Sequence, residues 1–185
     1  MRVLVACEFS GEVRDAFIRH GHNAISCDLQ SSYGIGPHYQ GDVKNIIDDS
    51  FDMLIAFPPC TYLAYIGMLH WNDPGREEKR NKALDFVRYL MNVPIHRIAI
   101  ENPRGCIGIE IRKSDQIIQP YMFGHSERKQ THLWLKNLPP LISTCNVVNR
   151  VSFVPTVSGK NRQKVRSKTF SGIAEAMAQQ WGGLS

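Results

Sequence analysis

Short apolar runs recur along this chain, and segments with the spacing of amphipathic helices separate them. The runs occupy residues 2–9, 23–29, 51–57 and 96–102, and the first of them reads RVLVACEF. They lack the strict apolar–polar alternation of a strand that is exposed on one face, which indicates strands buried on both faces. We therefore predict the α/β fold class, with a doubly wound, mostly parallel sheet covered by helices on either side.

The helical segments and one further strand complete this prediction. The clearest helix spans residues 76–92 and stops before Pro94. Its apolar face comprises Ala83, Leu84, Val87, Leu90 and Met91. A weaker helix is predicted over 113–122, a strand over 130–135 and a closing helix over 172–181. A chain of 185 residues is typical of a single domain.

Composition and charge limit the cellular compartment and the binding partners that we expect for this chain. The formal net charge is +5, which permits a polyanionic partner without requiring one. The five cysteines form no CxxC pair, so we expect free thiols in a reducing cytoplasm and no metal site. We expect no membrane span, because the sequence contains no run of about 18 apolar residues.

Polar and reactive residues follow several of the predicted strands. They occupy positions 8–11, 28, 58–60 and 101–103. The carboxyl ends of parallel strands meet at one edge of a sheet, where ligands bind in open α/β folds. The sequence therefore predicts a single functional site at this edge.

Cys60 and Glu101 are the candidates for catalysis at that edge. Pro58 and Pro59 fix the backbone just before Cys60. A thiolate held there is a candidate nucleophile if nearby groups lower its pKa, whereas a buried cysteine can equally be a small apolar core residue. Glu101 could hold or pass a proton beside such a thiolate, or it could be a structural acid.

The end of the first strand suggests a cofactor site. Phe9, Ser10 and Gly11 open the first helix, and Asp28 ends the second strand, where an acid can bind a ribose diol. Asp42 offers a further acceptor for an adenine amino group. The alternative for each position is an ordinary turn or helix cap.

In this order, the motifs resemble those of the cytosine-C5 DNA methyltransferases. The series runs FSG at 9–11, Asp28, GDV at 41–43, PPC at 58–60 and ENP at 101–103. It continues with FGHSERKQTHLWL, which is similar to that family's strand-entry motif, and with TFSGIAEAMAQQW, which is similar to its closing motif. The likeness is greatest to the short forms encoded by phages and prophages.

The resemblance implies a Rossmann-like fold that uses S-adenosylmethionine, with residues 1–185 as one catalytic domain. It implies double-stranded DNA as partner, with the target cytosine flipped out of the duplex. Cys60 would attack C6 of the base, and Glu101 would hold N3 and the exocyclic amine. The implied catalytic residues are Cys60, Glu101, Asn102 and Lys129. The implied cofactor-binding residues are Phe9, Ser10, Gly11, Asp28, Leu29, Asp42 and Pro58.

The sequence also departs from the family's pattern. An arginine of the strand-entry motif falls on Thr131, and Phe57 stands where a small residue is usual. A short basic segment around 143–169 occupies the place of a target-recognition domain. Its candidates for nucleic-acid binding are Lys160, Arg162, Lys164, Arg166 and Lys168, although a solvated loop is the alternative. An RNA substrate, or binding of nucleic acid or a host protein without catalysis, therefore stays open.

Overall fold

One large β-sheet organises the structure, a computed structural model that describes residues 1–48, 50–65, 72–152 and 168–184. The strands are β1 (Arg2–Ala6), β2 (Asn23–Asp28), β3 (His38–Gln40), β4 (Met53–Ala56), β5 (Arg97–Pro103), β6 (Gln116–Ile118), β7 (Glu127–Arg128), β8 (Thr131–Lys136) and β9 (Val151–Ser152). The large sheet has the order β3-β2-β1-β4-β5-β8-β6, while β7 pairs with β9 separately. In the large sheet, β8 pairs antiparallel with β5 and β6, and the other neighbouring strands pair in parallel.

Helices cover both faces of this sheet. They are α1 (Glu12–Arg19), α2 (Arg76–Asn92), α3 (Ile107–Glu110) and α4 (Ser171–Gly182). Alternate residues of β1 enter different cores: Val3 and Val5 pack with α1 and α4, whereas Leu4 and Ala6 pack with α2 and α3. All of these β1 side chains are buried, as expected for a strand with helices on both sides. The predicted α/β, doubly wound and mostly parallel architecture is confirmed.

The strand order also fixes where a crevice opens. From β1 the chain proceeds outward through β2 and β3, then returns to place β4 and β5 on the other side of β1. In doubly wound sheets, the carboxyl ends of the strands on either side of such a reversal bind ligands. Within the described residues, no helix is both long enough and apolar enough to cross a bilayer.

The predicted helix over 113–122 is wrong. This segment forms β6 and a 3-10 turn over Pro120–Met122. Ile118 is buried while Ile117 is 48% exposed, which is the alternation of a strand rather than the face of a helix. Gln119 is extended because Pro120 follows it, and this position cannot continue a helix. β1 is also shorter than predicted, since Cys7 adopts a left-handed conformation with φ of 58° directly after Ala6.

Candidate active site

A buried hydrogen bond ties the Pro-Pro-Cys loop to the end of β5. The Nδ2 of Asn102 donates to the carbonyl of Pro58 at 2.7 Å. Asn102 is only 1% exposed, and Pro58 is buried as well. A hydrogen bond that is shielded from water holds its partners more firmly than one at the surface. The loop that carries Cys60 is therefore fixed to the strand that carries Glu101.

Cys60 lies at the exposed end of that loop. Its carbonyl accepts hydrogen bonds from the amides of Leu63 and Ala64 at 3.0 and 2.9 Å, so the residue begins a tight turn. Upstream, the amide of Phe57 bonds the carbonyl of Ala6 at 2.9 Å and keeps the loop entry beside β1. Cys60 is a thiol outside any disulfide. A solvent-accessible thiol on a fixed turn is the arrangement that a nucleophile requires.

Glu101 extends to the opposite face of β5 from Asn102, as consecutive strand residues do. The hydroxyl of Thr131 donates to the carbonyl of Lys129 at 3.3 Å, and both residues lie close enough to the Glu101 carboxyl group to act on its pKa. Burial raises the pKa of Glu101, and the charge of Lys129 and the hydroxyl of Thr131 only partly oppose this increase. The carboxyl group therefore retains a proton to higher pH than an exposed glutamate.

The Lys129 segment also meets the beginning of α4. The Nζ of Lys129 lies 5.8 Å from the ring centroid of Phe170, the residue that precedes α4. His125 packs edge-on against the same ring at 5.0 Å and accepts a hydrogen bond from the amide of Gly172 at 3.0 Å. The two motifs nearest the C-terminal end of the chain are thus brought together beside Glu101.

The loop after β1 is tightly built. Phe9 is 7% exposed, and its ring meets that of Tyr33 edge-on with the centroids 5.3 Å apart. The carbonyl of Phe9 also accepts a hydrogen bond from the amide of Tyr33 at 3.1 Å. Gly11 has φ of 79° at the start of α1, a conformation that glycine adopts without strain. Phe9, Ser10 and Gly11 therefore line a rigid strand-to-helix turn.

Glu8 is a buried acid in this loop, which the sequence placed at the functional edge without assigning it a role. Its carboxylate accepts hydrogen bonds from the amides of Val13 and Arg14 at 2.7 and 3.4 Å and from the hydroxyl of Ser10 at 3.3 Å. The chain's own carboxylate therefore occupies the N-terminus of α1. Burial raises the pKa of Glu8 to about 7 despite these bonds. Its position directly after an apolar strand was the available signal.

Arg14 is a second buried charge, and sequence reasoning did not select it. Its Nη1 bonds the hydroxyls of Ser26 and Ser32 at 2.9 and 3.1 Å, and the side chain is fully buried. Gly34 and Gly36 pack so closely against the guanidinium that a Cβ at either position would overlap it. Arg14 therefore fastens the loop after β2 onto α1. The glycines of that loop were the only sequence signal.

Asp28 and Asp42 lie near each other at the ends of β2 and β3. The amide of Gly41 bonds the carbonyl of Asp28 at 2.9 Å, and both acids lie near Cys7. Burial raises the pKa of the Cys7 thiol to about 12, and these two carboxylates add to the increase. One oxygen of each carboxylate accepts a local backbone amide. Leu29, which follows Asp28, is 74% exposed.

The predicted nucleic-acid contacts lie mostly outside the described residues. These are Lys160, Arg162, Lys164 and Arg166. Lys168 is described, and its Nζ forms an ion pair with Glu12 at 2.7 Å. Within the described ranges, no group of three or more histidine, cysteine or acidic side chains is placed to hold a metal ion.

Comparison with known proteins shows similarity at the level of fold. A methyltransferase of Entamoeba histolytica is 17% identical with a TM-score of 0.52, over 80% of this chain and 57% of its own. A prophage protein of E. coli, described as a DNA modification methyltransferase, is 14% identical with a TM-score of 0.50, over 73% of this chain and 46% of its own. This chain spans about half the length of these structures. No protein-family model and no curated protein matches it. The chain has the Rossmann-like fold of these methyltransferase structures.

Proposed function

We propose that this protein is a DNA cytosine-5 methyltransferase that transfers a methyl group from S-adenosylmethionine to C5 of a flipped-out cytosine. The observation that carries the proposal is the 2.7 Å bond from Asn102 to the carbonyl of Pro58. It joins the thiol-bearing loop to the strand end that carries Glu101. A nucleophile and a carboxylate on one rigid support are what covalent catalysis on a base requires.

The residues at the ends of β1, β2 and β3 fit S-adenosylmethionine. Among the described residues, the Oδ2 atoms of Asp28 and Asp42 accept no hydrogen bond, so these oxygens remain for a ribose diol and an adenine amino group. Phe9 and Leu29 offer apolar surface for the adenine, and Pro58 closes the crevice from the β4 side. The Ser10 and Gly11 backbone completes the proposed cofactor site. When bound, the cofactor supplies an electrophilic methyl group.

Cys60 and Glu101 prepare the base to receive that group. The Cys60 thiolate forms a bond to C6, and the 5,6 double bond supplies electrons to C5. Glu101 donates its proton to N3 and accepts a hydrogen bond from the exocyclic amine, which stabilises the adduct. Once C5 carries the methyl group, a base removes the C5 proton, the Cys60–C6 bond breaks and N3 returns its proton to Glu101, which restores the double bond, the thiolate and the carboxylic acid. A raised pKa suits Glu101 to the proton-donating step.

Asn102 and Lys129 support these groups. Asn102 acts as a positioning residue, because its contact is with Pro58 rather than with open space. Lys129 offers a positive charge beside Glu101, where it can also contact the base or its phosphate. We infer that residues 1–185 form one catalytic domain, in which the basic segment 143–169 replaces a target-recognition domain.

The first test is methyl transfer with labelled S-adenosylmethionine and mixed-sequence DNA, followed by digestion and identification of the modified base. The wild type is expected to produce 5-methylcytosine, and Cys60→Ala to produce none. Cys145→Ala is the matched control, because Cys145 is also an exposed thiol, but its backbone pairs with Met122 and Gly124 rather than with the Pro-Pro-Cys loop. If the cofactor binds and no 5-methylcytosine forms on DNA, the proposal fails; the same assay with RNA then tests the RNA alternative.

A second candidate function is nucleic-acid binding without methyl transfer. Thr131 favours it, because this residue stands where the family resemblance expects an arginine and its hydroxyl donates to the carbonyl of Lys129. A threonine brings no charge to hold the base. This candidate predicts DNA binding in the wild type with no labelled base, and identical behaviour of Cys60→Ala.

A further inference from the structure

A cleft of about 460 Å³ opens beside the proposed catalytic edge, on the α2 and α3 face of the sheet. Its sides carry the exposed cations Arg104 and Lys113. Its aromatic surface comes from His132, which stacks on the buried Trp134, and from Tyr65, whose ring centroid lies 5.9 Å from the Arg104 guanidinium. None of the described residues that line it is acidic. A cleft with cations at its rim and flat rings inside suits a ligand that is both anionic and aromatic.

The cleft is built from the same two segments as the candidate active site. Tyr65 follows the turn that begins at Cys60, and Arg104 follows the Glu101–Asn102 strand end. The amide of Tyr65 bonds the carbonyl of Arg104 at 3.2 Å. Gly105 approaches the Leu63 backbone so closely that no larger residue would fit. These contacts fix the cleft rigidly against the Cys60 loop.

The aromatic side chains are held as an uncharged stacking surface. The rings of His132 and Trp134 are nearly parallel, with 27° between their planes and 6.0 Å between centroids. The Nδ1 of His132 and the hydroxyl of Ser114 are hydrogen-bonded at 2.9 Å, which fixes the ring. Burial and the charge of Arg104 lower the pKa of His132. A neutral His132 ring can stack on a base without adding a positive charge inside the cleft.

We propose that this cleft binds a nucleotide of the substrate strand next to the target base, with the base against Tyr65 and His132 and the phosphate between Arg104 and Lys113. The inference rests on the proposed function for the identity of the strand. It gives a nucleic-acid contact that is independent of the basic segment 143–169. Stacking tolerates any base, so the contact contributes affinity more than sequence specificity.

The test measures binding of a fluorescent single-stranded DNA in the Cys60→Ala background, where no covalent adduct forms. Arg104→Gln with Lys113→Gln is expected to reduce the slope of log affinity against log salt by about 1.4, as two lost phosphate contacts on a single strand would. Arg2→Gln with Arg19→Gln removes the same charge from the start of β1 and from α1, and should leave the slope unchanged. Tyr65→Leu should weaken binding about fivefold or more.

A cross-link keeps the proposal testable if Tyr65→Leu disturbs folding. The wild-type chain, irradiated with an oligonucleotide that carries 5-iodouracil next to the target cytosine, should form an adduct at Tyr65 that mass spectrometry can map. The same experiment with RNA distinguishes the source of the strand. Equal salt slopes for the two double variants, together with no adduct at Tyr65 on either strand, would overturn the inference. Binding without 5-methylcytosine would instead overturn the proposed function alone.

Discussion

The ends of β1 and β5 each carry a glutamate whose pKa is raised by burial of the carboxyl group, yet the two acids have different neighbours. Glu8 accepts hydrogen bonds from Val13, Arg14 and Ser10, all within its own strand-to-helix turn. Glu101 is met by Thr131 and Lys129, which come from a segment farther along the chain. Burial raises the pKa of both groups.

This difference separates a structural acid from a candidate catalytic one. The backbone amides around Glu8 are fixed donors at a helix N-terminus, so its carboxylate completes the turn and has little left to offer a ligand. The neighbours of Glu101 are the buried side chain of Thr131 and the long side chain of Lys129, and the lysine can turn toward a substrate. The position of an acid at a strand end is therefore less informative than the source of its hydrogen-bond donors.

Replacing Glu101 is the strongest test of this difference. Glu101→Gln keeps the shape of the side chain but cannot deliver a proton to N3, so methyl transfer should slow by about 10²- to 10⁴-fold. Single-turnover rates with labelled cofactor would measure the loss. Glu77→Gln, an exposed position on α2, should retain the wild-type rate. A Glu101→Gln enzyme as fast as the wild type would exclude Glu101 from the reaction.

Replacing Glu8 should change the pH dependence of the unfolding free energy rather than the rate of methyl transfer. Its pKa rises from about 4.5 to about 7 on folding, so the folded protein binds this proton more tightly than the unfolded chain. The contribution is therefore complete below about pH 4.5 and is lost as the pH rises through about 7. Relative to Glu8→Gln, the wild type should lose about 3 kcal/mol of unfolding free energy across this range.

Urea unfolding of both proteins from pH 4.5 to 8 would measure this loss. The contribution of Glu101 is present in both proteins and cancels in the difference. A wild-type-minus-variant difference that stays flat with pH would show that Glu8 does not carry a raised pKa, and would remove the contrast between the two acids.

Asn102 tests whether β5 holds the Cys60 loop. Asn102→Ala removes the donor to Pro58 in a buried site and should cost about 1–3 kcal/mol of unfolding free energy. Asn92 is the matched control, because its Nδ2 also donates to a carbonyl at 2.7 Å but is exposed. Asn92→Ala should cost about 0.5 kcal/mol or less. Equal losses of unfolding free energy in the two variants would mean that the hydrogen bond from Asn102 to Pro58 does not hold the Cys60 loop against β5.

The sequence predicted the elements whose signals are local. The helix over 76–92 was confirmed at both ends, because its apolar residues recur at helical spacing and buried Leu84, Val87 and Leu90 meet the sheet. The strands β1, β2, β4, β5 and β8 were confirmed because each contains a short apolar run that the sheet buries. β6 and β3 were missed because each has only three residues, and pairing with a neighbouring strand rather than propensity determines their state.

The site was predictable in outline but not in its contacts. The topology of a parallel sheet places strand ends together, and this rule selected Cys60, Glu101 and Asp28 from sequence. It cannot show that Asn102 reaches Pro58, since the two are 44 positions apart and the bond depends on how β4 and β5 pack. The sequence placed Glu8 at this edge without a role and did not select Arg14, because charged residues are rarely buried and sequence alone gives no partner for either.

The exposed ion pair between Lys168 and Glu12, at the N-terminus of α1, should give the smallest effects. Glu8 occupies the buried amides, and Lys168 pairs with Glu12 at the surface at 2.7 Å. An exposed pair of this kind contributes about 1 kcal/mol or less, so Lys168→Gln should hardly change stability.

Because Glu12 competes with phosphate for the same ammonium group, Lys168→Gln should weaken duplex DNA binding only about twofold. Glu12→Gln should instead tighten binding, since it releases Lys168 to a phosphate and removes a negative charge. Fluorescence anisotropy at several salt concentrations would measure both variants, and weaker binding by Glu12→Gln would show that the pair itself shapes the DNA-binding surface.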